Sequence, residues 1–202
     1  MKKHIITIAG DLASGKGRIT DILREKFGYE IYRNGEYVRK LAKEKGMDIT
    51  SFNEYLNGHP EIDQEIEKSA ASYAKEHDNL IVDARLGWYV IPESFKVYLK
   101  VDLDVAAQRA FYDENRKETE MFASIEEHKA DIEKRFKLEN ERFFNLYGVH
   151  KEDMSNYDFV LDTTNGTVEE NAQIIEKEYI EWLKKEWGRA SALSLFFLYG
   201  QN

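Results

Sequence analysis

The run Gly10-Asp11-Leu12-Ala13-Ser14-Gly15-Lys16 fits the spacing G-x-x-x-x-G-K. Glycines at those places let the backbone turn so that successive N–H groups point inward at phosphate oxygens. A helix opening at the lysine adds a positive partial charge, and Lys16 reaches the β- and γ-phosphates. The chemistry implied is the holding of a nucleoside triphosphate. Gly17 and Arg18 follow the lysine where a Ser or Thr commonly helps to hold Mg²⁺. The nearest hydroxyl beyond is Thr20. Arg18 either adds a cation near the phosphates or points to solvent.

Transfer of a phosphoryl group asks little covalent help of a protein. It asks for positioning and for cations around the transferring group. An acceptor that is itself phosphorylated needs more of them, because two anions must be brought together. Arginines stand at suitable places: Arg39, Arg85, the pair Arg109 and Arg116, and the pair Arg135 and Arg142, each pair two helical turns apart. Arg85 follows the C-terminal end of a strand, where sites of parallel sheets form. Asp83, in that strand, has the place of a carboxylate that orients Mg²⁺ through water. The competing reading of any one arginine is a solvated cation paired with a nearby Glu, and it is strongest between residues 113 and 142. Asp83 has its own alternative, a strand-end Asp that caps the next turn.

The elements that would position these residues follow from hydrophobic spacing. Residues 4–9 (HIITIA) read as a strand and 17–27 as a helix with Ile19, Ile22, Leu23 and Phe27 on one side. A short strand is expected over 29–32, then helices over 36–45, 50–56 and 61–76. Residues 79–83 (NLIVD) and 95–101 (FKVYLKV) read as buried strands, 104–114 and 125–146 as helices. A last strand over 157–162 (YDFVLD) precedes a helix over 168–187. Strands alternating with helices predict an α/β fold around a parallel sheet, with near-continuous apolar strands covered on both faces.

Composition narrows the function classes. The chain has 202 residues, 42% hydrophobic, enough for one buried core, and no repeat or linker-like tract divides it. A net charge of −9 disfavours binding to nucleic-acid backbone, so an anionic ligand needs a local cationic pocket. The absence of cysteine excludes disulfides and thiolate metal sites and fits a reducing cytoplasm. The N-terminal apolar run is too short for a signal peptide, and no stretch reaches the ~20 apolar residues that span a membrane. The apolar tail over 190–199 (ASALSLFFLY) is expected to pack on the core or on a partner subunit. Monomer and homodimer both stay open.

With these residues in view, the chain resembles the nucleoside monophosphate kinases, and among them the cytidylate kinases of the archaeal type and their bacterial relatives. The resemblance runs from about residue 4 to 185 through ITIAGDLASGKG, NGEYVRKLAKEKGM, FNEYLNGHPEID, IVDARLGW, FKVYLKVDLDVAAQR, ENERFFNLYGV and SNYDFVLDTTN. It implies a three-layer P-loop fold with a five-stranded parallel sheet, a helical monophosphate-binding insert at about 34–78 and an arginine-bearing lid at about 113–146. It implies transfer from ATP, with Mg²⁺, to CMP or dCMP. By the same resemblance the loop from Gly10 to Arg18 and Arg109 bind ATP, and Arg39 and Arg85 hold the acceptor phosphate. Arg135 and Arg142 match the lid arginines, and Asn53 and Asp63 become contacts to the acceptor or, alternatively, helix caps. Another phosphorylated acceptor, or a nucleotide-binding regulator without transfer, are the rival readings. The chain departs from the family pattern at Ala13, at Gly17, near Arg33-Asn34, and in the tight turn Arg85-Leu86-Gly87-Trp88.

Overall fold

Five apolar runs become strands and pair side by side in the order β2-β3-β1-β4-β5, every pairing parallel. The structure is a computed structural model and describes residues 3–113 and 122–187. The strands are β1 (Ile5–Gly10), β2 (Glu30–Arg33), β3 (Leu80–Asp83), β4 (Phe95–Lys100) and β5 (Phe159–Asp162). The helices are α1 (Lys16–Phe27), α2 (Asn34–Glu44), α3 (Ile49–Leu56), α4 (Pro60–Glu76), α5 (Gly87–Val90), α6 (Leu103–Tyr112), α7 (Ile125–Tyr147) and α8 (Val168–Trp187). The expected α/β fold with its parallel sheet is the observed one.

β1 lies at the centre, and Ile5, Ile6 and Ile8 have no exposed surface. One face of the sheet packs against Ile19, Leu23 and Phe27 of α1 and Ala172, Ile175 and Tyr179 of α8. The other face packs against Ala70 and Ala74 of α4, and against Trp88 of α5 and Phe143 of α7. Burial on both faces is why these strands are continuous apolar runs and not alternating ones. A separate small core of Ala42, Phe52 and Leu56 ties α2 to α3.

Two parts of the topology aim at one place. After β1 the chain crosses to the β2 edge, and after β3 it crosses to β4 on the other side of β1. The crevice this reversal opens lies at the C-terminal ends of the strands, where β1 ends in Gly10 and β3 in Asp83. Gly10 has φ +150°, and a Cβ there would stand 2.4 Å from the Leu99 carbonyl oxygen of β4. The turn into the loop is therefore tight against the next strand, and only glycine fits it.

Several expected bounds move. α2 starts at Asn34 and β2 ends at Arg33, so strand and helix abut without a loop. The short helix α5 and a 3₁₀ turn at Met154–Asn156 have no counterpart in the sequence pattern, because four or three residues cannot express a periodicity. α5 lies flat on β1 because Gly87 brings its backbone close: a Cβ there would sit 3.2 Å from Thr7 Cβ. Asn53 and Asp63 are not caps. Asp48 caps α3 by accepting from Ser51 N–H, and His59 precedes α4. Arg116 and the apolar tail lie outside the described residues.

Gly10→Ala is expected to destabilise the protein by about 2–4 kcal/mol, through overpacking against Leu99 and an unfavourable φ. Urea denaturation measures it; a loss under about 0.5 kcal/mol would mean that the loop does not need this close approach.

Candidate active site

α1 begins at Lys16 immediately after Gly15, whose φ of +86° turns the chain into the helix axis. Ala13 also has a left-handed φ of +58°. The loop is thus held in a curled form before any ligand arrives. Lys16 Nζ donates to the carbonyls of Gly10 at 3.0 Å and Asp11 at 3.1 Å, across the loop's own mouth. Crowding brings the Lys16 pKa down to about 8, with burial the largest cause and Arg85 and Lys151 adding to it, against Asp83 and Asp11. The ammonium stays charged near neutral pH and is poorly solvated, so an incoming phosphate replaces few water contacts.

The first two residues of the loop are tied to the sheet. Gly10 and Asp11 do not line the main cleft, which begins at Leu12. The Asp11 carboxylate accepts from Tyr98 O–H at 2.6 Å and Val101 N–H at 3.0 Å, pinning the loop to β4 and the turn after it. Thr163 Oγ1 supports the far side by donating to Ser14 C=O at 3.0 Å. Ser14 Oγ is buried without a hydrogen-bond partner. A Cβ on Gly17 would meet nothing within 4 Å, and Thr20 donates its hydroxyl back to Gly17 C=O at 2.8 Å. Thr20 therefore does not substitute for the missing loop hydroxyl. Arg18 is exposed at the cleft wall.

The cleft has a volume of about 930 Å³ and runs from this loop to the α2–α3 region. Arg39, Asn53, Asp83, Arg85, Arg109 and Arg135 all line it. Arg39 is exposed on α2. Arg109 is fixed at the opposite end, where Nη2 donates to the carbonyls of Thr163 at 2.9 Å and Thr164 at 3.1 Å. Asp83 contributes negative potential to both Lys16 and Arg85. Arg85 Nε forms an ion pair with Glu139 Oε2 at 2.7 Å. Burial disfavours its charge, but Glu139 and Asp83 outweigh that and raise its pKa. Arg135 is held by Asp131 at 3.7 Å, and Asp131 accepts from Thr50 of α3.

Two expected contacts lie elsewhere. Arg142 and Asp63 do not line the cleft. They pair with each other, Nε to Oδ2 at 2.6 Å, and Arg142 also donates to Asn53 C=O at 3.1 Å. Arg142 is 6% exposed, fixed between α3, α4 and α7. Asn53 faces the cleft, but its Nδ2 is already given to Ile49 C=O at 2.8 Å.

A curled loop over a conserved-geometry strand end describes many kinases; residue-by-residue similarity decides among them. Residues 5–165 match the model of the cytidylate kinase-like family. The chain belongs to that family. A cytidylate kinase of Thermoplasma volcanium is 34% identical over 186 residues, covering 90% of this chain and 94% of the relative. A cytidylate kinase of Pyrococcus horikoshii is 33% identical and covers 83% of each chain. Among solved structures, the shikimate kinase of Acinetobacter baumannii, in complex with shikimate, superposes with a TM-score of 0.57 at 15% identity, covering 92% of this chain and 96% of that one. A gluconokinase of Sinorhizobium meliloti gives 0.59 at 11% identity, covering 98% of both chains. These likenesses establish the P-loop kinase fold. The protein is an ATP-dependent nucleoside monophosphate kinase.

Sequence reasoning missed several charged and polar groups of this kinase. Glu139 and Lys151 sit behind Arg85, Asn34 lines the cleft, and Glu67 is buried within the influence of Arg85 and Arg142. Asn34 Nδ2 donates to Glu67 Oε1 at 3.4 Å, and both residues are buried. Burial lifts the Glu67 pKa to about 8, with Asp63 adding to it. Asp63 is lifted to about 6, again first by burial, against the pull of Arg142. The spacing Asp63–Glu67 is one helical turn, and that i, i+4 pair of carboxylates in an otherwise amphipathic helix was the available signal.

A carboxyl whose folded pKa exceeds its unfolded value binds more protons in the folded state, so stability falls as pH rises between the two values. For Glu67 that interval runs from about 4.5 to about 8. The kinase is therefore expected to lose stability between pH 5.5 and 7.5, by at most about 1.4 kcal/mol per pH unit from this group. Glu67→Gln flattens the slope in urea denaturation. Parallel slopes in the two proteins would contradict the assignment.

Proposed function

We propose that this kinase transfers the γ-phosphoryl group of ATP to a pyrimidine nucleoside monophosphate, CMP or dCMP, and releases the diphosphate. The observation that carries the reading is one cleft lined both by the phosphate loop with Lys16 and by Arg39 and Asn53 of α2 and α3, with Arg85 and Arg135 on its walls. The names of the 31–35% identical relatives support the choice of base.

In this reading ATP lies along the loop, with backbone N–H groups and Lys16 on its phosphates and Arg109 at the base end. The region from α2 to α4 forms the acceptor insert. Arg39 and Arg85 hold the acceptor phosphate, with Asn53 toward its base. Arg135, in the middle of the buried face of α7, adds positive charge where both phosphate chains meet. The acceptor oxygen is already anionic near neutral pH, so it attacks in line without a general base. What the side chains supply is alignment and charge neutralisation, in a cleft that keeps water from becoming the acceptor.

Mg²⁺ fits the residues present in a restricted way. Asp83 is half-buried on the cleft wall at the end of β3, and no group of three or more His, Asp or Glu capable of a protein-only site occurs among the described residues. One carboxylate beside the phosphates, with water completing the shell, is how Mg²⁺ is commonly held. When bound, the ion would neutralise charge on the β- and γ-phosphates. With Gly17 at the loop's end, Asp83 is the residue assigned that role in this reading.

The test is an ADP-release screen with CMP, dCMP, UMP, AMP, GMP and dephospho-coenzyme A. CMP or dCMP is expected to give the highest kcat/KM. A higher value for another acceptor would replace the substrate assignment, and ATP binding without transfer to any of them would indicate a regulator. Lys16→Ala and Arg85→Ala are each expected to lower kcat/KM by about 10²–10³-fold, or about 2.7–4 kcal/mol. Near-normal turnover in either variant would sink these roles.

A further inference from the structure

We propose that Lys151 is a positioning residue for phosphoryl transfer: by sharing the Glu139 carboxylate with Arg85, it leaves the group behind the cleft wall with a net positive charge. The inference rests on the reading of Arg85 as a phosphate holder.

The geometry is a three-membered chain. Glu139 Oε2 accepts from Lys151 Nζ and forms an ion pair with Arg85 Nε, both at 2.7 Å. Glu139 and Lys151 are 4% and 6% exposed, and neither lines the main cleft. Arg85 does line it, and also borders a second cavity of about 300 Å³ onto which Glu139 and Lys151 open. The group thus stands behind the cleft wall and reaches it through Arg85 alone. Lys151 Nζ also lies 4.7 Å above the Phe136 ring, which fixes it from a second side. Its carbonyl accepts from Tyr157 O–H at 2.8 Å, so the backbone that carries it is tied to the core.

Charge arithmetic gives the arrangement a purpose. Arg85 and Glu139 alone form a neutral pair, and a neutral pair attracts phosphate weakly. With Lys151 the three groups sum to one positive charge, and the same carboxylate still fixes the Arg85 Nε. Arg85 itself lines the cleft. Burial disfavours the charge on Lys151 and Glu139 answers it. The Glu139 carboxyl is held well below the usual range, because Arg85, Lys151 and Arg142 together outweigh its burial. A buried ion pair is weak evidence for stability, since apolar replacement is often neutral. A charge-balancing role accounts for a third buried ion that stability alone does not require.

The experiment compares wild type with Lys151→Met, Lys151→Arg, Glu139→Gln and the double variant Lys151→Met/Glu139→Gln. Thermal melts confirm folding, and the KM for ATP serves as an internal reference. Lys151→Met is expected to raise the KM for the acceptor monophosphate and lower kcat, with kcat/KM down about 10–100-fold, while the KM for ATP changes less than about threefold. Lys151→Arg retains activity within about fivefold. The decisive protein is the double variant, whose Arg85 group again sums to one positive charge: it recovers at least about fivefold in acceptor kcat/KM over Lys151→Met. A purely structural role predicts additive losses instead, and that result overturns the proposal. Because the double variant removes the Lys151 and Glu139 charges together and keeps Arg85 on the cleft wall, it answers the question even if Lys151→Met fails to fold, by retaining or losing acceptor turnover. The same proteins are compared by calorimetry for binding of whichever monophosphate binds wild type most tightly, expecting wild type and double variant alike and Lys151→Met weaker. Wild type with no transfer to any monophosphate would strike the functional reading, whereas equal affinity in all variants would strike this one.

Discussion

Buried carboxylates fix the direction of the arginines in and around the cleft of this kinase. Arg85 rests on Glu139 and Arg135 on Asp131, both arginines lining the cleft, while Arg142, which does not line it, rests on Asp63. In a chain of net charge −9, loose surface arginines would be drawn to the many exposed acids, and their orientation would be lost to side-chain entropy. Buried counterions give each guanidinium one direction. They also spread the consequence through the fold: Glu139 and Arg142 tie α7 to the strand end after β3 and to α3 and α4, so the helix that carries the arginines is part of the cleft wall.

The arrangement has a cost that is visible at its edge. Asp63 and Glu67 are forced toward the neutral form by the burial that the arginines need, to about 6 and about 8. The loop end of the cleft works the other way. Lys16 is drawn down to about 8 by crowding and is held between two carbonyls of its own loop. Both ends are therefore poised near neutral pH, one by cations with carboxylates behind them, the other by a lysine that ligand phosphates would take over from backbone oxygens.

Local features were legible in the sequence. The loop from Gly10 to Lys16, its strand and its helix are contiguous, and the motif states its own geometry. Arg85 and Asp83 were found because they end a strand that the apolar run NLIVD announces. What failed was the reading of partners. The charged run of α7 looks like a solvated face, yet Arg135, Glu139 and Arg142 fall at i, i+4 and i+7 on one side and are all buried. That spacing was present in the sequence. The residues that satisfy them, Asp63, Arg85 and Lys151, come from distant segments, and no local pattern links these to α7. Asp11 shows the same limit: Tyr98 and Val101, brought up by β4, engage its carboxylate, and no local pattern in the motif announces them.

The account stands on one cleft receiving two nucleotides at once, phosphate to phosphate across Arg85. Calorimetric titration with a bisubstrate ligand, cytidine and adenosine joined through a pentaphosphate, tests this most directly. One ligand is expected to bind per chain at least about 100-fold tighter than ATP or CMP alone, with each nucleotide excluded by it. Affinity no better than that of ATP, with CMP still able to bind beside it, would contradict the account.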